Sequence, residues 1–276
     1  MAKNPKPLLA RLARTGPNRV ARGDLGAAGL PGLVFSPVSG SNLPAIVFAH
    51  GWMAHPKRYH RTLRHLASWG FIVAAPSAHR GLFASDKDFA ADLSRAVEIV
   101  RAASIGANQA RAQRVGLVGH GLGASASVLA AAKDPSVAAV AALWPSKTTA
   151  ATVQAAEDVA AAGLILTTVG EELSLTSNAT ELALAWGAVA ALRAIPDFAP
   201  EDLPERRGPR GWFELDLGAG RSVAHAQLTG WLLATLAKDK TYAAFADPDA
   251  SLPGAAPLDA SAVERNPVNA FRALLS

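Results

Sequence analysis

The chain has 276 residues, half of them hydrophobic, and carries a formal net charge of +5. This length suits one large domain with a well-buried core better than two small ones. The absence of cysteine excludes disulfides, thiolate nucleophiles and thiolate metal ligands. The sequence contains no apolar run long enough to cross a bilayer and no pattern of a secretory signal, so we expect a cytoplasmic protein.

The first part of the sequence, residues 1–24, is predicted to be a basic arm ahead of a single domain at residues 25–276. It carries much of the positive charge, on Lys3, Lys6, Arg11, Arg14, Arg19 and Arg22. Leu8, Leu9 and Leu12 would form one apolar edge of a short helix between these charges. Such an arm suits an anionic membrane surface or an acidic protein partner, or it is a solvated terminus. Nucleic acid is an unfavourable partner, because no aromatic side chains interleave with the charges.

From residue 30 onward, short strand patterns alternate with longer helical ones. The strands are predicted at Leu30–Ser36, Ala45–Ala49, Phe71–Ala75, Arg114–Gly119, Val137–Leu143, Leu164–Val169 and Trp212–Leu217. The helices are predicted at Tyr59–Trp69, Lys87–Ala102, the turn at Gly119–Gly123 through Lys133, Ala151–Ala162, Ala179–Leu192 and Leu228–Leu236. This alternation predicts an α/β fold, a mostly parallel twisted sheet with helices on both faces. The Pro-rich, charged segment 195–211 is predicted to be a surface insertion that could cover the strand ends.

Five segments in order carry a resemblance to a known family. They are Phe48–Trp52, LASWGFIVAAP at 66–76, RVGLVGHGLG at 114–123, FELDLGAGR at 213–221 and DKTYAAF at 239–245. With these segments the sequence resembles the α/β-hydrolases, most closely the cutinase-like polyester hydrolases and the dienelactone-hydrolase-like proteins, from about Leu30 to Phe245. The resemblance implies the α/β-hydrolase fold, with a site beyond the carboxyl ends of the parallel strands.

The resemblance requires a serine at the centre of a G-x-S-x-G turn, where a strand–turn–helix bend presents Oγ to a histidine. In this sequence the centre of the turn is Gly121. Glycine suits the bend because it tolerates positive φ, but it has no atom that can attack a carbonyl. Ser125 and Ser127 follow within two helical turns and are expected on the helix flank. We therefore predict that the nucleophile is missing.

The histidine and acid positions implied by the resemblance are also altered or ambiguous. A G-A-x-H pattern after the last strand places Arg221 where the family has histidine. Arginine stays protonated and cannot act as a general base, and the nearest histidine is His225, four residues later. The acid falls on Glu171, or on Leu173 if the alignment is two residues longer. Glu171 and Arg221 would then form an ion pair, or Glu171 is a solvated loop carboxylate.

The other predicted site residues flank the elbow and the oxyanion strand. They would line a degenerate pocket and are His50, Gly51, Trp52, Met53, His120, Leu122 and Trp144. By resemblance, the backbone N–H groups of Trp52 and Leu122 are the oxyanion donors, which survive side-chain replacement. A helix N-terminus adds partial positive charge. With Arg221 nearby, the pocket would suit carboxylate, sulfate or phosphate, unless Arg221 only fills the cavity.

Metal and nucleotide sites are not expected. His55, His60 and His65 are spaced by five residues, which does not place them on one helical face. The Gly119–Gly123 run resembles a dinucleotide fingerprint only loosely, because the next predicted strand ends at Trp144 and proline instead of an acidic residue. We expect no metal and no cofactor.

The sequence therefore favours a catalytically disabled α/β-hydrolase homologue. It would bind a small anionic or acyl ligand, or a protein partner, through the degenerate pocket. The alternative is a carboxylic-ester hydrolase with a non-standard catalytic set, in which His225 or His120 is the base and water or Ser125 the nucleophile.

Overall fold

A computed structural model describes residues 5–77, 85–102, 112, 114–170, 174, 176–205 and 218–264. Three features predicted from the sequence lie outside the described residues. They are the strand at Trp212–Leu217 and the two candidates for the acid, Glu171 and Leu173.

Within the described residues, nine strands form one sheet. In chain order they are β1 Val20–Asp24, β2 Gly32–Pro37, β3 Ala45–Ala49, β4 Ile72–Pro76, β5 Val115–His120, β6 Ala139–Leu143, β7 Ala162–Thr168, β8 Ala190–Ile195 and β9 Ala256–Pro257. Their order across the sheet is β1-β2-β4-β3-β5-β6-β7-β8-β9. The run from β4 to β8 is parallel, and β1, β2 and β9 pair antiparallel at the two edges. This topology confirms the predicted α/β-hydrolase fold.

Helices cover both faces of the sheet. They are α1 Pro5–Leu12, α2 His60–Ser68, α3 Asp86–Ala102, α4 Leu122–Lys133, α5 Ala150–Ala156, α6 Ala179–Ala185, α7 Gly218–Thr235 and α8 Ala260–Glu264. Strand β3 shows why helices must cover both faces of the sheet. Ile46 and Phe48 pack in the core beneath α1, α2 and α7, whereas Val47 packs in the core beneath α3 to α6. Because both faces of the strand are buried, it has no polar alternation.

Helix α6 is shorter than the sequence predicts. The helix predicted at Ala179–Leu192 ends at Ala185, and the chain becomes extended at Trp186, with φ −66° and ψ 122°. Residues Ala190–Ile195 instead form strand β8, which pairs with β7 and β9. The prediction was wrong here because the alanine-rich sequence has a helical composition, while pairing between two neighbouring strands determines its conformation.

Helix α7 begins earlier than predicted, at Gly218 instead of Leu228, and ends at Thr235. The two glycines inside it weaken the helical pattern of the sequence, but both are packed closely. A Cβ at Gly230 would lie 2.5 Å from the Phe245 ring, and one at Gly220 would lie 2.7 Å from Phe198. These glycines therefore allow the helix to approach neighbouring aromatic rings.

Residues 5–24 are integrated into the domain and do not form a separate arm. Leu12 is fully buried, Leu8 is buried beside it, and α1 packs on α7. Strand β1 pairs with β2 along its whole length. Because the apolar edge of α1 is occupied by this packing, the boundary predicted at residue 24 is absent among the described residues. No helix in the described part of the chain is long and apolar enough to span a membrane.

Candidate binding site at the elbow

A cavity of about 390 Å³ opens at the carboxyl ends of β3, β5 and β6. The turns that follow these strands provide its inner wall, with Gly51, Trp52, Tyr59, His120, Gly121 and Trp144. The segment after β8 provides part of the outer wall, through Pro200, Glu201 and Pro204. Part of the predicted insertion at 195–211 therefore lies against the cavity.

Gly121 connects strand β5 to helix α4 in the conformation that the elbow requires. Its backbone has φ 55° and ψ −118°, a region that favours glycine. Its N–H donates to the Leu143 carbonyl, and its own carbonyl accepts from Ala124 N. A Cβ added here would meet the Ser146 Oγ at 3.3 Å and the Gly51 Cα at 3.8 Å. The bend is thus intact, and the position of the missing side chain faces the cavity and the Ser146 hydroxyl.

The two predicted oxyanion donors have no hydrogen-bond partner within the described residues. They are the backbone N–H groups of Trp52, which lines the cavity, and of Leu122, which follows Gly121 at the first position of α4. The four N-terminal N–H groups of a helix have no partner inside it, and they carry partial positive charge. Both N–H groups are therefore available to an acceptor on a ligand.

A hydrogen-bonded chain links the oxyanion turn to the elbow through Tyr59. The Tyr59 hydroxyl accepts from Gly51 N at 2.9 Å and lies 2.8 Å from His120 Nδ1. The hydroxyl has no other acceptor among the described residues, so we assign it as the donor to Nδ1, which places the imidazole proton on Nε2. Burial raises the pKa of Tyr59 and keeps the phenol protonated, as this arrangement requires.

His120 is neutral and carries its proton on a buried nitrogen. Burial lowers its pKa to about 4, and the Pro200 backbone opposes this shift. Its Nε2 is buried and makes no hydrogen bond of normal geometry within the described residues, including with Pro200. The ring therefore lines the cavity while its Nε2–H is enclosed by the protein.

Trp144 forms the side of the cavity and is held rigidly. It follows β6 with φ 44°, and its Nε1 donates to Thr168 Oγ1 at 2.8 Å. The Thr168 hydroxyl in turn donates to the Phe198 carbonyl, and the rings of Phe198 and Trp144 pack with centroids 4.9 Å apart. The ends of β6 and β7 and the loop after β8 are therefore joined at this indole.

Other residues of the predicted pocket lie near the cavity without lining it. His50 is buried, donates from Nδ1 to the Gly51 carbonyl and packs on the Phe89 ring. Met53 is half exposed, with φ 50°, and Leu122 contributes to the site through its backbone. Of the predicted set, Gly51, Trp52, His120, Gly121 and Trp144 line the cavity.

Arg221 is not brought to the elbow. It lies in the first turn of α7, where its Nε and Nη2 donate to the Asp202 carbonyl at 3.2 and 2.7 Å. It lines a different cavity, together with His225, whose Nε2 lies 3.0 Å from Thr62 Oγ1. The expectation that Arg221 makes the elbow pocket cationic is therefore not met. The physical reason is that Arg221 belongs to a helix and not to a loop over the strand ends.

The serines proposed as substitute nucleophiles are fully buried. Ser125 Oγ donates to the Ser146 carbonyl at 3.0 Å, and Ser127 Oγ donates to the Gly123 carbonyl at 2.8 Å. Neither serine lines the elbow cavity. In the described part of the chain, no three metal-ligating side chains lie together.

Sequence reasoning missed the polar residues that arise from the tertiary fold. Tyr59, Arg58, Ser146, Thr176 and Ser177 line the cavity in addition to the predicted residues. Tyr59 is the first residue of the predicted helix, and no motif distinguishes it. Ser146 follows the Trp-Pro pair after β6, a strand end that the sequence analysis treated only as a reason to exclude a nucleotide site.

The loop after β8 contains no histidine. β8 is the last parallel strand of the described sheet, and it ends at Ile195. Pro196, Asp197 and Phe198 follow; Asp197 is exposed with φ 53°, and Phe198 is buried. The assignment of Arg221 to the histidine position stays a prediction, because the strand expected before it lies outside the described residues.

A sequence model of the Chlorophyllase family matches residues 21–163, from β1 into β7. The match spans just over half of the 276 residues and includes both the oxyanion turn at Gly51 and the elbow at Gly121. The chain belongs to the Chlorophyllase family. The family assignment confirms the relationship to α/β-hydrolases that the sequence predicts. No curated protein matches this Chlorophyllase-family chain significantly.

Proposed function

We propose that this Chlorophyllase-family protein does not hydrolyse esters through a serine nucleophile and instead binds a small ester or carboxyl compound in the elbow cavity. The observation that carries the proposal is Gly121, which keeps the strained geometry of the elbow while offering no attacking atom. The polar side chains of Ser146, Thr176 and Ser177 line the same cavity, which supports a binding role.

The alternative, a hydrolase with a non-standard catalytic set, has less support from the geometry. Neither Ser125, whose Oγ is held by the Ser146 carbonyl, nor His225 lines the cavity. His120 lines the cavity, but its Nδ1 accepts from Tyr59 and its Nε2 carries the proton, so it is a donor and not a base. The loop after β8 contains Asp197 but no histidine that could act as the base in place of His120.

The chemistry of the cavity indicates the ligand class. Trp52 and Trp144 contribute apolar surface to its lining, which suits an acyl chain or a ring. The backbone N–H groups of Trp52 and Leu122 have no partner within the described residues and are donors beside the elbow. A carbonyl or carboxylate oxygen complements such donors, so an ester or carboxyl compound fits better than an amine.

The first experiment measures hydrolysis of a p-nitrophenyl acyl ester series by the native protein and by His120→Gln and Gly121→Ala variants. We expect all three to give the same rate as a heat-inactivated sample. Turnover by the native protein that is abolished in His120→Gln would overturn the proposal in favour of the hydrolase alternative.

The second experiment measures binding through tryptophan fluorescence, with phenyl butyrate and butyrate as probes. We expect saturable quenching, and about tenfold weaker binding in Trp144→Phe, because its indole forms the cavity wall. Trp186→Phe is the matched control, since Trp186 is buried under the opposite face of the sheet and donates to the Ala161 carbonyl. Absence of saturable binding, or equal effects of the two substitutions, would refute the assigned site.

A further inference from the structure

A second cavity, of about 300 Å³, lies between helices α2 and α7 and is strongly basic. The side chains that define it are Arg61, Arg64, His65, Arg221, Ser222 and His225. Arg61, Arg64 and His65 share one face of α2 by their three- and four-residue spacing, and Arg221 and His225 share one face of α7. Two helices therefore direct cationic groups into one concave space, and no carboxylate is among the lining residues.

Two of the guanidinium groups have donors left over. Arg221 uses Nε and Nη2 for the Asp202 carbonyl, which fixes the plane of the group, while Nη1 makes no hydrogen bond to the described residues. Arg64 is exposed and makes neither a hydrogen bond nor an ion pair within the described part of the chain. The remaining donors of a fixed guanidinium are suited to a bidentate oxyanion.

The floor of the cavity is a stacked pair of neutral imidazoles. The rings of His65 and His225 lie with centroids 4.6 Å apart and an interplanar angle of 22°. Their Nε2 atoms pair with the hydroxyls of Thr229 and Thr62, at 3.1 and 3.0 Å. These pairs hold the rings in place, so the floor is rigid.

The charged side chains among the described lining residues are all arginines. Burial is the main reason that the pKa of His225 lies well below its usual value, and interactions with His65, Arg221 and Arg61 lower it further. Glu205 accepts from Arg61 N and, like Asp202, is not among the lining residues. Cationic side chains around a partly enclosed space favour binding of an anion.

We propose that the cavity between α2 and α7 is a binding site for a phosphate group, either free or as a monoester. The guanidinium groups of Arg64 and Arg221 and the hydroxyls of Thr15 and Ser222 supply more donors than the two oxygens of a carboxylate can use, whereas a phosphate offers three or four oxygens. The site is separate from the elbow cavity, and the inference does not depend on the function proposed for it.

The test is calorimetric titration of the full chain with inorganic phosphate and, for comparison, acetate. We expect phosphate to bind saturably and at least about tenfold more tightly than acetate. Arg64→Gln is expected to weaken phosphate binding by about tenfold or more, because one charge-assisted pair is lost. Arg95→Gln, an exposed arginine on α3 at the other face of the sheet, is the control and should bind as the native protein does.

A second experiment, with lipid vesicles, distinguishes a soluble phosphate from a lipid headgroup. Co-sedimentation uses phosphatidylcholine vesicles with and without phosphatidate. Binding to phosphatidate vesicles that is lost in Arg64→Gln, without binding of inorganic phosphate, would assign the headgroup as the source of the phosphate. No binding in either arm, equal affinity for acetate, or an equal effect of Arg95→Gln would overturn the proposal, provided that circular dichroism shows the variants to be folded.

Discussion

The hydroxyl of Tyr59 lies 2.8 Å from Nδ1 of His120 and joins the turn after β3 to the end of β5. The same hydroxyl accepts from Gly51 N, so one buried phenol satisfies two buried groups of the candidate site. This contact sets the tautomer of His120, with the proton on the buried Nε2.

Replacing Tyr59 by phenylalanine should destabilise the protein by about 1–3 kcal/mol, because it leaves Gly51 N–H and His120 Nδ1 buried without partners. Urea denaturation followed by circular dichroism measures the change. Tyr242→Phe is the control: Tyr242 is also buried, but its hydroxyl makes no hydrogen bond within the described residues. Equal losses in the two variants would contradict the role assigned to Tyr59.

Two glycines of the elbow should respond very differently to alanine. Gly121→Ala should cost about 1–3 kcal/mol, since φ is positive and the Ser146 side chain, 3.3 Å from the new Cβ, must shift slightly. Gly123→Ala should prevent stable folding, because its Cβ would lie 2.5 Å from the carbonyl oxygens of both Ala49 and His50. Thermal unfolding and soluble yield check this order, and a better tolerated Gly123→Ala would show that the backbone contact is wrong.

Stability should fall on acidification between pH 6.5 and pH 4. Burial lowers the pKa of His65 and of His120 to about 4, below the ordinary histidine value of 6.5, so in this window the unfolded chain binds more protons than the folded chain. The stabilisation is fully present above pH 6.5 and is lost as the pH falls through 4. Each histidine contributes roughly 3 kcal/mol to the free energy of unfolding, because each pKa unit corresponds to about 1.4 kcal/mol.

Urea titrations at a series of pH values measure this dependence. His120→Gln should reduce the slope of the free energy of unfolding against pH, whatever its effect on stability at pH 7. The half-buried His55 provides a comparison as His55→Gln. An unchanged slope in His120→Gln would show that His120 titrates alike in the folded and unfolded chain.

Arg193 should be the most sensitive arginine of the described residues. It is fully buried on β8, where it donates to the carbonyls of Phe245 and Asp247 at 2.9 and 2.7 Å, and burial lowers its pKa to about 10. Arg193→Met should cost about 2–4 kcal/mol, because two buried carbonyls lose charge-assisted partners. Arg101→Met should cost less than about 1 kcal/mol, since its ion pair with Asp134 is partly exposed. Chemical denaturation compares the two, and a larger loss at Arg101 would contradict this ranking.

The sequence predicts most accurately the strands whose continuous apolar composition matches their burial in the structure. Strands β3 and β5 have continuous apolar runs and fall where they were expected. The prediction was wrong at β8, since the alanine-rich segment Ala190–Ile195 includes a buried arginine that is satisfied by the distant carbonyls of Phe245 and Asp247. It also missed Tyr59, because its contact with His120 joins residues far apart in the chain.

The sequence by itself determined the fold class, the family resemblance and the absence of a serine at Gly121, because each of these depends on residue type and on local order. Only the tertiary structure decided which side chains meet. It placed Tyr59 with His120 at the elbow, and it placed Arg221 with Arg64 and His225 in a separate cavity. The physical reason is that side-chain direction depends on which turn or helix carries a residue and on the surface against which that element packs. Neither can be read from spacing along the chain.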